Sequence, residues 1–430
     1  MTMKRHFKYI SVLVLFAGIS ANSSAQALFN VVGNTTLKVN PTEILFIQGG
    51  LSNSNAGAID NEGTIYVSGN WDNDNSSGGL VATTGTVELN GNAQAIGGAQ
   101  ATTFNNLALT GGAGSVKTLN QNTTVGGNSG VLNIGTDVLD LNGNALTISN
   151  SASSAILKSS GYIMSETNSS PYGNVKWQIG TNAATYQVPF GSGVGGSDVA
   201  IGLSTSGASG NGDISFATYP SDAANMPYPS GVVSLAAAPQ DIADRYWIID
   251  PKGYSTTPLF ANVAFNYNDP NDVDLNDNAG MVEADLQAIR YNSQTGMWLD
   301  WGPIGVANVS SNLVNVANIP ANQFYPTWSL VESSISTSTH SKTNASFGIR
   351  QLYSPSGNGS LHLGFNSPVS GAYQVRVYDM LGRQLAEKTV KASVGLNETN
   401  IDLNDPSQGV YSLILQSGEN FESRKVVLNK

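Results

Sequence analysis

Cysteine is absent from all 430 residues. Its absence excludes disulfide staples, thiol nucleophiles and a lipid-modified N-terminal cysteine, so stability must come from burial and backbone pairing over a large area. Histidine is almost absent, occurring only as His6, His340 and His362. None lies within 26–335, which excludes Ser-His-Asp or Cys-His catalysis and histidine-based zinc sites from that stretch. No long apolar run exists either. The longest near the start, Tyr9 to Ile19, is about eleven residues, against the ~20 that a membrane-spanning helix needs.

What is present begins with an address. Lys4, Arg5 and Lys8 precede that short apolar run, and Ser23-Ser24-Ala25 or Ala25-Gln26-Ala27 supplies small residues for cleavage, so 1–25 is expected to be a removable signal peptide. The mature chain is expected to hold no transmembrane segment. Charge then marks a boundary: 26–346 carries eight basic side chains against 23 acidic ones, whereas 347–430 carries eight against seven. An acidic body repels phosphate backbones, so nucleic acid is not an expected partner.

The length implies two or three domains, all of them β. Residues 26–190 are rich in Gly, Asn, Ser and Thr and repeat themselves. GTIYVSGN at 63–70 returns as GTVELNGN at 85–92, and VLDLNGNALTI at 138–148 echoes VELNGNAQAI at 87–96. Short strands ending in Asn-Gly corners at a fixed period predict a β-solenoid. Within each unit Ile65, Val67, Val87, Leu89, Leu139 and Leu141 should face inward, with Tyr66, Glu88 and Asp140 outward. Asn side chains are expected to stack as ladders at the corners. The stretch resembles right-handed parallel β-helix segments of bacterial surface adhesins; a hairpin-built β-sandwich is the alternative.

Residues 191–335 bear longer aromatic strands, among them DRYWIID, LFANVAFNYN and FYPTWSLVE, and predict an antiparallel β-sandwich. Trp247, Trp298, Trp301 and Trp328 are expected mainly in its core, with a sugar-stacking face as the other possibility. Residues 336–346 read as a Ser/Thr-rich linker. The segment NYNDPNDVDLNDNAGMVE spaces Asp272, Asp274, Asn276, Asn278 and Glu283 at positions 1, 3, 5, 7 and 12 of a calcium loop, so Ca2+ is a candidate cofactor. Asp277 stands where such loops have Gly, and the alternative is a wet acidic connection. The pair Asp72 and Asp74 in WDNDN is either a glycoside-hydrolysing couple or an Asx-rich turn.

The tail, 347–430, alternates like a small β-sandwich. It contains VYDMLGRQL at 377–385, the step Gly395-Leu396-Asn397, GVYSLILQSG at 409–418 and the basic end KVVLNK. In that order these motifs resemble the type A C-terminal sorting domain of the type IX secretion system of Bacteroidota. The resemblance implies recognition of the domain by the secretion machinery at the outer membrane, then removal as the cargo is released or attached to surface lipopolysaccharide. It carries over to Tyr378, Leu381, Gly382, Gly409, Tyr411, Lys425 and Lys430. Arg424, Lys425 and Lys430 also offer positive charge on an edge strand, either to a receptor or merely to deter aggregation. The passenger is then expected to be a secreted or surface-attached, non-catalytic, adhesive or structural protein with a glycan or matrix ligand. A carbohydrate-active enzyme or glycan-binding module sent by the same route is the alternative. Parallel β-helix lyases of that kind typically need an Arg or Lys base, and 26–200 contains four Lys and no Arg.

Overall fold

The computed structural model describes residues 28–428 apart from 76–79, 83, 128, 194–195, 207–209, 234, 236–240, 257, 270, 273–280, 294–295, 300–304, 320–323, 333–346, 355–358, 380–382, 404–405 and 418–419. The expected signal peptide and linker therefore lie outside the described residues. Apart from two 3-10 turns, Glu283–Asp285 and Val309–Ser311, every regular element described is a strand. The chain divides into two compact units, one of residues up to 163 without 151–153, and one of the remainder.

The first unit is a parallel solenoid. One wall stacks Leu28–Val32, Gly50–Ser54, Trp71–Asp74, Ala93–Gly97, Val116–Leu119 and Val138–Asp140; a second stacks Ile44–Ile47, Thr64–Val67, Thr86–Leu89, Asn106–Leu109, Leu132–Asn133 and Ile156–Leu157. A third wall comes in two runs, Thr36–Val39 with Ala58–Asn61 and Leu80–Ala82, then Thr102–Phe104 with Thr123–Val125 and Ala145–Ile148. The repeat at 63 and 85 is one coil, because Ile65 pairs with Val87 and Val67 with Leu89 in parallel register. All six residues expected inside are buried, and Tyr66, Glu88 and Asp140 are half-buried on the outer face. The other echo has a different origin. Thr86–Leu89 lies in the second wall and Val138–Asp140 in the first, so LNGNA is a strand-corner-strand unit used at two different corners.

Asparagine works between coils, yet seldom as a ladder. Asn61 Nδ2 donates to Thr86 O at 3.0 Å, Asn73 Nδ2 to Ala101 O at 2.9 Å and Asn144 Nδ2 to Leu119 O at 2.7 Å, while Asn106 Oδ1 accepts Val131 N at 3.0 Å. The amide thus satisfies backbone groups left unpaired where the strands break. Asn142 to Asn120, at 3.3 Å, is a direct side-chain bridge of the expected kind. Glycine sets the spacing at the same corners. A Cβ on Gly91 would lie 2.1 Å from the Ser68 carbonyl oxygen, and one on Gly111 2.1 Å from that of Gly91. Gly91→Ala is therefore expected to force adjacent coils apart and cost about 1–3 kcal/mol, read as an earlier unfolding transition; an unchanged transition would contradict this contact.

Parallel pairing gives way to antiparallel pairing earlier than residue 190. Asn174–Trp177 already pairs antiparallel with Asp213–Pro220, and Thr185–Val188 with Ile201–Thr205. Apolar-polar alternation reads the same in both kinds of sheet, so the change of partner left no mark on composition. One sheet of the sandwich runs Asn174–Trp177, Asp213–Pro220, Arg245–Lys252, Thr327–Glu332, Leu286–Asn292 and Met297–Leu299; the other runs Thr185–Val188, Ile201–Thr205, Phe260–Asn266, Leu313–Ile319 and Val306–Asn308. Phe265 joins them, its ring centroid 5.6 Å from that of Trp247 and 5.3 Å from that of Trp328.

The tail is a smaller sandwich. Gly348–Tyr353, Ser360–Ser367 and Gly395–Asp402 face Gln384–Ala392, Gly371–Asp379, Gly409–Ser417 and Asn420–Leu428. Among the described residues, its core, including Leu361, Phe365, Val375, Val377, Leu413 and Leu415, is drawn from the tail alone.

Candidate functional site

The tail motifs are turn and corner devices. In VYDMLGRQL the chain reverses between Asp379 and Arg383. Asp379 Oδ1 accepts Arg383 N at 2.9 Å, Asp379 Oδ2 accepts Arg383 Nε at 2.7 Å, and Asp379 N donates to Arg383 O at 3.0 Å. A carboxylate facing both a backbone N–H and a guanidinium closes the hairpin from both sides. Tyr378, half-buried just before it, donates to Gln384 Oε1 at 3.2 Å. Leu381, Gly382 and Lys430 lie outside the described residues.

The Gly395 step is built the same way. Gly395 has φ +100°, open to glycine and strained for other residues, and Asn397 accepts Ser393 N at 2.9 Å while donating to Ser393 O at 2.8 Å. Gly409 opens the next strand, and buried Tyr411 donates its hydroxyl to Ser407 O at 2.5 Å, a corner that ties a strand back onto the loop before it, as tyrosines do in other β-sandwiches. Lys425 is exposed on the final strand, opposite Ser412, and beside it Arg424 donates to Glu422 at 3.0 Å. Glu422 also accepts Ile349 N at 2.8 Å, holding the first tail strand to the last. Sequence reasoning missed the roles of Asp379, Arg383 and Glu422; an acid four residues before an arginine around a Gly is the signal for the first two.

In the sandwich, Asp272, the first position of the expected calcium loop, is turned to Arg245. Its Oδ2 accepts Arg245 Nε at 2.7 Å and Asn268 N at 2.7 Å, in a site where Arg245 is 1 % exposed. Arg245 also meets Glu166 at 3.0 Å and Thr218 Oγ1 at 3.3 Å. Burial works against its charge, but Asp272 and Glu166 outweigh that and hold the guanidinium above its ordinary pKa. Glu283 accepts the Tyr267 hydroxyl at 2.9 Å, and Asp274, Asn276 and Asn278 lie outside the described residues. Among the described residues no three of His, Asp and Glu stand close enough to hold a metal.

Of the other candidate pair, Asp74 is also committed. Asp72 and Asp74 alternate along one strand; burial and then the Asp74 charge raise the Asp72 pKa, and Asp74 accepts Ala99 N at 2.8 Å. In the solenoid interior Asp137 takes Lys117 at 3.0 Å and the N–H groups of Gly111 and Gly112, each at 2.9 Å. Trp247 and Trp328 are fully buried, as core residues. Trp298 is half-buried against Tyr291 and Tyr246, and Trp301 lies outside the described residues. Among the described residues no helix is long and apolar enough to cross a membrane.

Comparison with known proteins bears on the tail. No curated protein matches the chain. A crystal structure of the group B Streptococcus pullulanase SAP aligns at 13% identity and a TM-score of 0.16, over 38% of this chain and 21% of that one. Residues 355–429 match the family described as the secretion system C-terminal sorting domain. The last 75 or so residues, with their clamped hairpin, Asn-pinned turn and tyrosine corner, are thus a type IX sorting domain, and the chain is one that this pathway delivers to the cell surface or beyond.

Proposed function

We propose that the part of the chain ahead of the sorting domain works without catalysis, as an adhesive or structural component outside the cell that binds glycan or matrix. One observation carries this reading: small polar side chains recur in register along the outer walls. Thr103, Thr124 and Thr147 form one such outward column, each paired with the next, at the ~4.8 Å step of neighbouring strands. A column of like hydroxyls offers a polymer many equal, individually weak contacts, and summed contacts of that kind give avidity.

The carboxylates support the same reading. Asp74, Asp137, Asp272 and Glu283 each accept hydrogen bonds from the chain itself, as an architecture that needs charge for cohesion would have them. The test is a glycan and matrix array probed with residues 26–335, run beside an assay for reducing ends and unsaturated products. Binding without turnover is expected. Turnover of any common polysaccharide would favour the carbohydrate-active alternative, for which Asp72 is the residue to mutate first.

A further inference from the structure

Among the described residues, the first coil of the solenoid is open along all three walls. Leu28–Val32, Thr36–Val39 and Ile44–Ile47 are each the terminal strand of their sheets among the described residues. The inward positions make the point most directly. Phe29, Leu37 and Leu45 are in register with Leu51, Ile59 and Ile65 of the second coil. Those second-coil residues are 0 % exposed, whereas Phe29 is 41 % exposed and Leu37 and Leu45 are half-exposed. The apolar interior therefore has an uncovered mouth, one residue from each wall. Around it, outward-facing Ile44 is 59 % exposed and Phe46 is 66 % exposed. The Phe46 ring stacks on Tyr66 at 4.6 Å and 15°, with its other face turned away from the coil that follows.

Solenoids ordinarily end in a polar capping repeat, because a bare end exposes both core and unpaired strand edges. What covers this end must meet three edges and three inward apolar residues together. A single extended peptide adds to one edge only. If the expected signal peptide is cut within 23–27, too little is left ahead of Leu28 for another coil, since coils here run from 20 residues (Leu51 to Trp71) to 25 (Trp71 to Ile96). A second copy has the same cross-section and the same mouth. Charge permits the meeting, because the only ionic groups between 28 and 47 are Lys38, already paired with Asp60 at 2.6 Å, and Glu43.

We infer that the mature protein dimerises head to head, the first coil of one copy closing the open coil of the other about a two-fold axis, so that Phe29, Leu37, Leu45 and Phe46 become buried. The interface is isologous and ends the assembly at two copies. It goes beyond the adhesive reading and does not depend on it, since the association is visible with no glycan present.

The experiment is light scattering and sedimentation on residues 26–430 across a concentration series, with Phe46→Lys beside it. Phe46 points outward, so the variant should keep its solenoid fold, checked by melting, while the dimer dissociation constant rises by roughly tenfold or more. Because the chain has no cysteine, a spin label at Thr35→Cys reports one site. A short label-to-label distance is expected in the dimer. A monomer at every concentration, or a dimer with widely separated labels, would overturn the inference. If Phe46→Lys failed to fold, the label distance in the otherwise unaltered chain would still decide.

Discussion

A chain ending at Glu332 should accumulate in the periplasm, folded, while the full chain reaches the outer surface. The expectation rests on two observations: residues 355–429 are the sorting domain, and among the described residues the buried apolar cluster around Phe365 and Leu413 contains none from ahead of 347. Removing the tail thus strips the address without opening the core formed by Trp247, Phe265 and Trp328. Loss of export should be near complete, because the truncated chain lacks the whole sorting domain. Cell fractionation with surface proteolysis reads it, and a truncated chain displayed as well as the full one would show that the address lies elsewhere. A milder lesion within the same domain, loss of the Asp379 carboxylate, would release the Arg383 clamp and loosen the hairpin.

Asp272→Asn should destabilise the sandwich by about 3–5 kcal/mol, the usual cost of leaving a buried cation short of its partner. In a body of this size that lowers the melting midpoint by on the order of 10 °C. The substitution keeps shape and the acceptor for Asn268 N but removes the negative charge 2.7 Å from Arg245 Nε. Glu166, at 3.0 Å, remains, and with a side-chain exposure of 17% it is the more solvated of the two acids and the weaker compensation. Thermal melting measures the effect, in calcium and in EDTA. With Asp272 turned to Arg245, wild type is expected to melt alike in both; a calcium-dependent rise lost in Asp272→Asn would return this carboxylate to the role of metal ligand. A melting point unchanged by the substitution would mean that the pair carries no weight in the fold.

These two cases show what could be read from the sequence. Solenoid walls were legible because a coil repeats locally: Ile65 and Val87 are one period apart and touch. Tail motifs were legible because their order and turn residues recur in a family. The Arg245 cluster was not, since Glu166, Arg245 and Asp272 come from distant segments and no spacing rule links them. Asp272 falls on a calcium-like spacing, and an Asx-rich loop carries the same oxygens whether they face a cation or a guanidinium. The change to antiparallel pairing at Asn174–Trp177 was not legible, because strands in parallel and antiparallel sheets alternate alike. Asparagine ladders were expected from composition, whereas a backbone carbonyl on the neighbouring coil is the nearer acceptor for most of these amides.

Coil stacking also decides how the protein yields to force. Coil-to-coil hydrogen bonds such as Ser68 N to Ile47 O and Asn90 N to Val67 O run along the axis of the solenoid, so tension on the backbone at one end opens one coil at a time, like a zip, with each bond loaded in turn. Every coil of 20 to 25 residues let go this way adds about 70–90 Å of slack chain. An exported protein anchored at its tail end and gripped at its far end would lengthen stepwise under flow, dissipating work at each rupture while the coils nearer the anchor stay intact.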